Sequence, residues 1–342
     1  DFRAIEYKGI QKTEEELIDL FYFKFQNAPL LSRMDAIRDY CVDEYETLLG
    51  RDLSEEELLI VQEKFDKMYV TKDIYKIYGW LLEECGYPSL PDVEYEKRKL
   101  EYEDVFPVLY LKYRLSRQAE RSNIKHLVID EMQDYSRLQY LIIRRMFSCK
   151  MTILGDRAQT MADQQQDVLQ FLPGIFGKDL RRIEMRKSYR NTVEIASYAA
   201  NLIGVTDLEL FERHGMPVLE RDVTDLEAAL REAVDTLFPE EKTYETAAVI
   251  VPDEKTAERA YLILREILAE KDFDCEKRLS WLNRDSSSFK KGLTVTTFYL
   301  AKGLEFDQVF SIFPKDEKRE MMMQAQYIAA TRALHELRVY HI

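Results

Sequence analysis

The chain of 342 residues carries a formal net charge of −14, with 46% hydrophobic and 33% charged residues, the proportions of an ordinary soluble globular protein with room for two or three domains. No apolar run approaches membrane-spanning length, and the N-terminus DFRAIEYKGIQKTEEE has neither an initial Met nor the basic-then-apolar pattern of an export signal, so it reads as a fragment or a processed chain. Four distant cysteines, Cys41, Cys85, Cys149 and Cys275, exclude a C-x-x-C metal or redox pair and are expected as free thiols in the cytoplasm.

The first third predicts amphipathic helices. TEEELIDLFYFKF opens with Thr13 and Glu16 at capping-box spacing, and SEEELLIVQEKFDKMY repeats the device with Ser54 and Glu57 ahead of Leu58, Val61, Phe65 and Met68 at helical intervals. Residues 1–115 hold 16 Lys plus Arg against 26 Asp plus Glu, a net of −10, and such a surface repels phosphate backbones. Two readings fit it: solvated helix faces, or an arm that meets a basic protein surface or mimics nucleic acid. No strand of comparable clarity precedes residue 126, so 1–122 is expected to be an all-helical insertion ending in the helix DVFPVLYLKYRLSRQAERS.

Beyond it short apolar strands alternate with helices: HLVID, KMTILGD, RRIEMRKSY, TAAVIVP, LTVTTFYLA, QVFSIFP and LRVYHI. Alternation of this kind predicts an α/β fold with parallel sheets, whose ligands bind beyond the carboxyl ends of the strands. The first strand runs into acids, in KHLVIDEMQDYS. Asp130 is placed to hold Mg²⁺, a hard ion that takes its remaining oxygen ligands from a triphosphate, and Glu131 to polarise an attacking water. A buried strand ending in a polar turn explains the string alone equally well.

Four further strings decide between these: LGDRAQTM (154–161), KSYRNTVEI (187–195), TTFYLAKGLEFDQVF (296–310) and YIAATRALHEL (327–337). With VIDEMQDYS, in this order, they closely resemble the later motifs of UvrD/Rep-like superfamily 1 helicases. The resemblance implies RecA-like lobes, with ATP and Mg²⁺ as ligands. Residues 123–214 would be the C-terminal part of the first lobe, with the Walker B strand and motifs III and IV, and 215–342 the second lobe, with motifs V and VI. It assigns Asp130 to the metal, Glu131 to water activation, and Gln159 to sensing the γ-phosphate. Arg190 and Arg332 would neutralise charge on the transferred phosphoryl group, a task that suits a planar, permanently charged fork. Glu305 would touch the ribose, with Lys302 and Gly303 beside it on the nucleotide side and Thr297 and Tyr299 on the nucleic-acid side.

Tyr299 stands where DNA-unwinding members usually have His. That departure, with ATRALHEL, LFERHGMPV (210–218) and the YLKYRL helix, looks like the HelD branch, ATPases that use helical arms to pry RNA polymerase off nucleic acid. RNA polymerase is the partner this implies; the alternatives are a 3'-5' DNA helicase acting on DNA and a degenerate, non-hydrolysing interaction module. No G-x-x-x-x-G-K-[ST] occurs: PGIFGKDL spaces Gly174 only three residues before Gly177 and follows Lys178 with Asp179. The phosphate-binding loop is therefore expected upstream of residue 1 in a longer parent ATPase, and this chain alone is expected to be inactive. The histidines, His126, His214, His335 and His341, show no zinc spacing; Trp80 and Trp281, with the many tyrosines, could stack bases, and core packing is the expectation for most of them.

Overall fold

A computed structural model describes residues 2–116, 123–160, 167–206, 209–239, 243–271, 273–286, 291–315 and 320–342. The tail of DVFPVLYLKYRLSRQAERS beyond residue 116 and Met161 of LGDRAQTM lie outside the described residues. The chain divides into two compact units, one of residues 1–130, 135–154 and 168–179, the other of residues 131–134, 155–167 and 180–342. No helix among the described residues is long and apolar enough to cross a membrane.

The first unit opens with a hairpin of β1 (Ile5–Tyr7) and β2 (Ile10–Lys12), which corrects the expectation of no strand before residue 126. Its two-residue turn, Lys8 and Gly9, has φ of 47° and 110°, the left-handed pair that matches strand twist. Five helices follow: α1 (Glu14–Asp19), α2 (Arg33–Leu49), α3 (Glu55–Asp66), α4 (Ile74–Glu84) and α5 (Tyr102–Leu115). Both expected capping boxes form, at Thr13 with Glu16 and at Ser54 with Glu57. Val61, Phe65 and Met68 join the core around Leu17 and Ile37. Leu58 does not, being 38% exposed. Glu57 is buried instead, where it takes the Lys8 ammonium at 2.6 Å. That hydrogen bond, with the Ser54 amide, pulls its carboxyl down to about 2. Trp80 is also exposed, contrary to expectation. The four cysteines are free, as expected.

The same unit then turns α/β. Strand β3 (His126–Ile129) pairs in parallel with β4 (Lys150–Ile153) through α6 (Arg137–Met146), and α7 (Val168–Phe176) follows. Ser136 and Gln139 close a third capping box. Tyr140, Ile129, Val168 and Leu172 form a small core there.

The second unit begins with β5 (Lys187–Ser188), α8 (Val193–Ile203) and β6 (Glu209–Leu210), the two strands paired in parallel. It continues with β7 (Leu219–Asp222), α9 (Leu226–Asp235), β8 (Thr246–Val251), α10 (Glu254–Ala269) and α11 (Cys275–Arg278). The last elements are β9 (Leu279–Trp281), β10 (Gly292–Thr297), β11 (Phe306–Phe313), α12 (Glu320–Thr331) and β12 (Ala333–His341). Six strands form one sheet in the order β7-β12-β11-β8-β10-β9, every neighbour parallel. Val249 and Phe310 pack with α9 and α10, while Ala248, Ile250 and Val309 pack with α8 and α12. Burial on both faces is why these strands read as continuous apolar runs. The fold is thus mixed α/β with a parallel sheet, consistent with RecA-like helicase lobes. RRIEMRKSY is a strand only at Lys187–Ser188; residues 181–186 are exposed, so its alternating pattern finds no face to cover. Trp281 stacks on Tyr261, 6.0 Å between centroids.

Candidate functional site

Asp130 is exposed in the first unit, directly after the carboxyl end of β3. All the other residues of interest belong to the second unit. Its segments 131–134 and 155–160 continue from the carboxyl ends of β3 and β4, whereas Arg190, Glu305 and Arg332 precede α8, β11 and β12. Arg190 lies in the turn between β5 and α8, and Arg332 in the junction between α12 and β12.

Buried amides organise the centre. Gln133, 8% exposed, donates Nε2 to Glu131 Oε2 at 2.6 Å and accepts the Asp156 amide on Oε1 at 3.1 Å. Asp156 in turn accepts Ala158 N at 2.9 Å, Gln159 Nε2 at 3.0 Å and the Tyr327 hydroxyl at 2.9 Å. Burial, with Asp156 alongside, pushes the Tyr327 hydroxyl's pKa well up, so it stays a donor at neutral pH. Gly155 allows this closeness, since a Cβ there would lie 2.4 Å from Met132 Cγ and 2.5 Å from Gln133 Oε1. Glu131 has φ of 51°, a left-handed backbone costing a non-glycine residue about 1 kcal/mol or more.

Arg332 is the anomaly. It is 1% exposed, and among the described residues no carboxylate pairs with it within 4.0 Å. Among the described residues two of its bonds are long, Leu304 O and Gln159 Oε1 each at 3.4 Å, and a third reaches the adjacent Thr331 Oγ1 at 3.1 Å. Nε has no partner. Burial first, then the nearby Arg190, draw its pKa below the ordinary arginine value, while Glu131, Glu305 and Tyr327 oppose them. A buried charge held so weakly is costly without an anion. Arg190 pairs through Nε with Glu305 at 2.6 Å, both about half-exposed. Lys302, its side chain 12% exposed, pairs with Asp134 at 2.6 Å. Gly303 turns the chain at φ of 76°.

The structure thus brings Glu131, Gln159, Arg190, Lys302, Gly303, Glu305 and Arg332 into one unit. Thr297 is fully buried, its hydroxyl accepting the Leu300 amide at 3.4 Å. Tyr299 lies half-buried, edge-on to Phe298 and against the core on the α8 and α12 side. Sequence reasoning did not single out Asn191, Arg213 and Tyr327. Nothing local marks the first two, which reach Ala333 and Leu334 more than a hundred residues away. No group of three His, Cys, Asp or Glu that could hold a metal occurs among the described residues. Mg²⁺ needs no such cage, taking one or two carboxylates and completing its shell with phosphates and water, and an exposed Asp130 fits that demand.

Residues 4–161 match the family model of the UvrD/REP helicase N-terminal domain. The match takes in the DEMQD and GDRAQ segments and supports a UvrD-like superfamily 1 helicase. Partial likenesses exist to solved structures. The C-terminal domain of a possible DNA helicase from Lactobacillus plantarum is 24% identical, with 45% of this chain and 88% of that one covered and a TM-score of 0.36. A PRRSV helicase is 18% identical, with 64% and 35% covered and a TM-score of 0.35. Arterivirus nonstructural protein 10, a helicase, is 14% identical, with 76% and 49% covered and a TM-score of 0.35. The chain spans half or less of these two viral helicases. A comparison with curated proteins returned no match.

Proposed function

We propose that this UvrD-like chain carries the phosphate-sensing half of an NTP-driven motor, and that the parent motor is a HelD-type ATPase that releases RNA polymerase from nucleic acid. The observation that carries the first part is Arg332: a buried guanidinium without a carboxylate, weakly held by Gln159, fits the terminal phosphates of a nucleotide. Arg190 would join it by exchanging Glu305 for phosphate, leaving Glu305 for the ribose beside Gly303 and Lys302. Glu131, held by Gln133, would polarise the attacking water. Mg²⁺ at Asp130, when bound, would neutralise phosphate charge. Tyr299 in place of His and the −10 net charge of residues 1–115 support the HelD branch. The family match of residues 4–161 supports the alternative, a UvrD/Rep-type DNA helicase with Thr297 and Tyr299 towards the strand.

Two measurements test these readings. The purified chain, lacking a phosphate-binding loop sequence, should hydrolyse ATP no faster than background; steady turnover abolished by Glu131→Gln would refute this. Across a salt series, capture of RNA polymerase should weaken as salt rises while duplex DNA stays unbound by fluorescence anisotropy, because an acidic surface gains nothing from counterion release on DNA. Tight, salt-sensitive duplex binding without polymerase capture would favour the DNA helicase.

A further inference from the structure

Arg190 and Arg332 are 142 residues apart in sequence, so a site that uses both needs something to fix their spacing. The backbone around them is cross-tied by two side chains from neither segment's own secondary structure. Asn191, 7% exposed, donates Nδ2 to Thr331 O at 3.2 Å and to Ala333 O at 2.6 Å, the carbonyls on either side of Arg332. Arg213 donates Nη2 to the carbonyl of Arg190 and to Leu334 O at 2.7 Å. Its own carbonyl receives the Val193 amide at 2.9 Å, which returns the chain to the Arg190 loop. Glu194 holds the next two residues, taking His214 Nδ1 at 2.9 Å and the Gly215 amide at 2.8 Å. Gly215 is pressed against Thr192, where a Cβ would come within 2.6 Å of Cγ2. The Arg332 carbonyl is tied as well, accepting the Phe306 amide at 2.9 Å.

We infer that Asn191 and Arg213 form a backbone clasp that sets the distance between the two phosphate-binding arginines, so that both engage one polyphosphate together. The inference rests on the phosphate-site reading above. Neither residue touches the anion; both are positioning residues. A shared, preset geometry makes two donors act as a unit, and residues acting as a unit show non-additive substitution effects. Without the clasp each arginine would contact the anion independently. Arg213 reaches both carbonyls through one nitrogen, while its buried Nε finds no partner among the described residues.

The test is a double-mutant cycle read by calorimetry with inorganic tripolyphosphate and the full chain in Mg²⁺-free buffer. In the wild-type background Arg190→Ala and Arg332→Met should each weaken binding at least fivefold, and the double variant should be far less impaired than the product of the two. In the Asn191→Ala background that coupling should vanish, the two effects multiplying. Arg213→Met keeps the length of the side chain and removes both donors, so it should lower the coupling in the same direction and covers the case in which Asn191→Ala fails to fold. A merely structural loss would lower affinity or stability and leave the coupling ratio intact. Coupling unchanged in both folded backgrounds overturns the clasp alone. No tripolyphosphate binding by the wild-type chain overturns the phosphate-site reading and the clasp with it. Failure of both variants to fold also overturns it, since the residues are then part of the core and nothing finer.

Discussion

Replacing Arg332 by Met should make the protein more stable while removing its affinity for polyphosphate. Arg332 is 1% exposed, has three bonds of 3.1–3.4 Å, and leaves Nε unsatisfied. Swapping a buried ionic group for an apolar one of similar volume is neutral to stabilising by about 1–4 kcal/mol. Against that stands the loss of three bonds, two of them long, at about 0.5 kcal/mol each. The net is a gain of about 1 kcal/mol. The second unit spans between 150 and 250 residues, so Tm should rise about 2–4 °C. Differential scanning calorimetry without ligand reads the shift, and tripolyphosphate titration reads the lost site. A destabilisation of more than about 1 kcal/mol would refute the reasoning, because it would mean that the guanidinium is well satisfied in the free protein.

The first unit should lose stability in acid through Glu57. Its carboxyl lies at about 2 against an ordinary 4.5 because Lys8 and the Ser54 amide bond to it, so its contribution is complete above 4.5 and disappears as pH falls towards 2. Urea midpoints measured from pH 6 down to 2 should fall in the wild type and flatten in Glu57→Gln; equal slopes would dismiss the pairing. Gly155→Ala should cost roughly 1–3 kcal/mol in urea unfolding, since its Cβ would meet Met132 Cγ at 2.4 Å and the Met132 amide at 2.6 Å; a neutral outcome would show that the turn relaxes freely. Gln308→Leu should cost more than Gln159→Met in the same assay, by about 1–2 kcal/mol, and the reverse order would contradict the roles given to these two amides below.

What could be read from the sequence was whatever depends on near neighbours. The boxes at Thr13 and Ser54 formed because both partners lie within one turn. The strands TAAVIV and FDQVFSIF declared themselves because a parallel strand covered on both faces carries no polar alternation. The hairpin at Lys8–Gly9 was passed over because three-residue strands leave almost no pattern, although a Gly after a polar residue at a two-residue turn was a usable signal. Leu58 was misplaced for a non-local reason: Lys8, 49 residues earlier, draws Glu57 inward. RRIEMRKSY had the alternation of a strand, yet only Lys187–Ser188 pair with a neighbour, Glu209–Leu210, and how far a partner strand extends is not contained in the string itself. The motif strings named Gln159, Arg190 and Arg332, but not Asn191 or Arg213, whose only significance is which distant carbonyls they reach.

Two buried glutamines of the second unit differ in how fully their amides are used. Gln308 is fully buried on β11 and uses both ends of its amide on backbone, accepting Phe238 N at 3.2 Å and donating to Thr236 O at 2.8 Å. Removing it would orphan two main-chain groups. Gln159 is equally hidden, yet among the described residues its Oε1 meets only Arg332, at 3.4 Å, and its Nε2 goes to an Asp156 that already holds Ala158 N and Tyr327 Oη. Its removal orphans nothing, while its presence keeps an under-used oxygen facing an under-used guanidinium. Folding alone would favour filling both with apolar atoms. A polar pair kept buried and half-satisfied is what a site built to receive an anion requires, because the bonds that are weak in the free protein are the ones the ligand can complete.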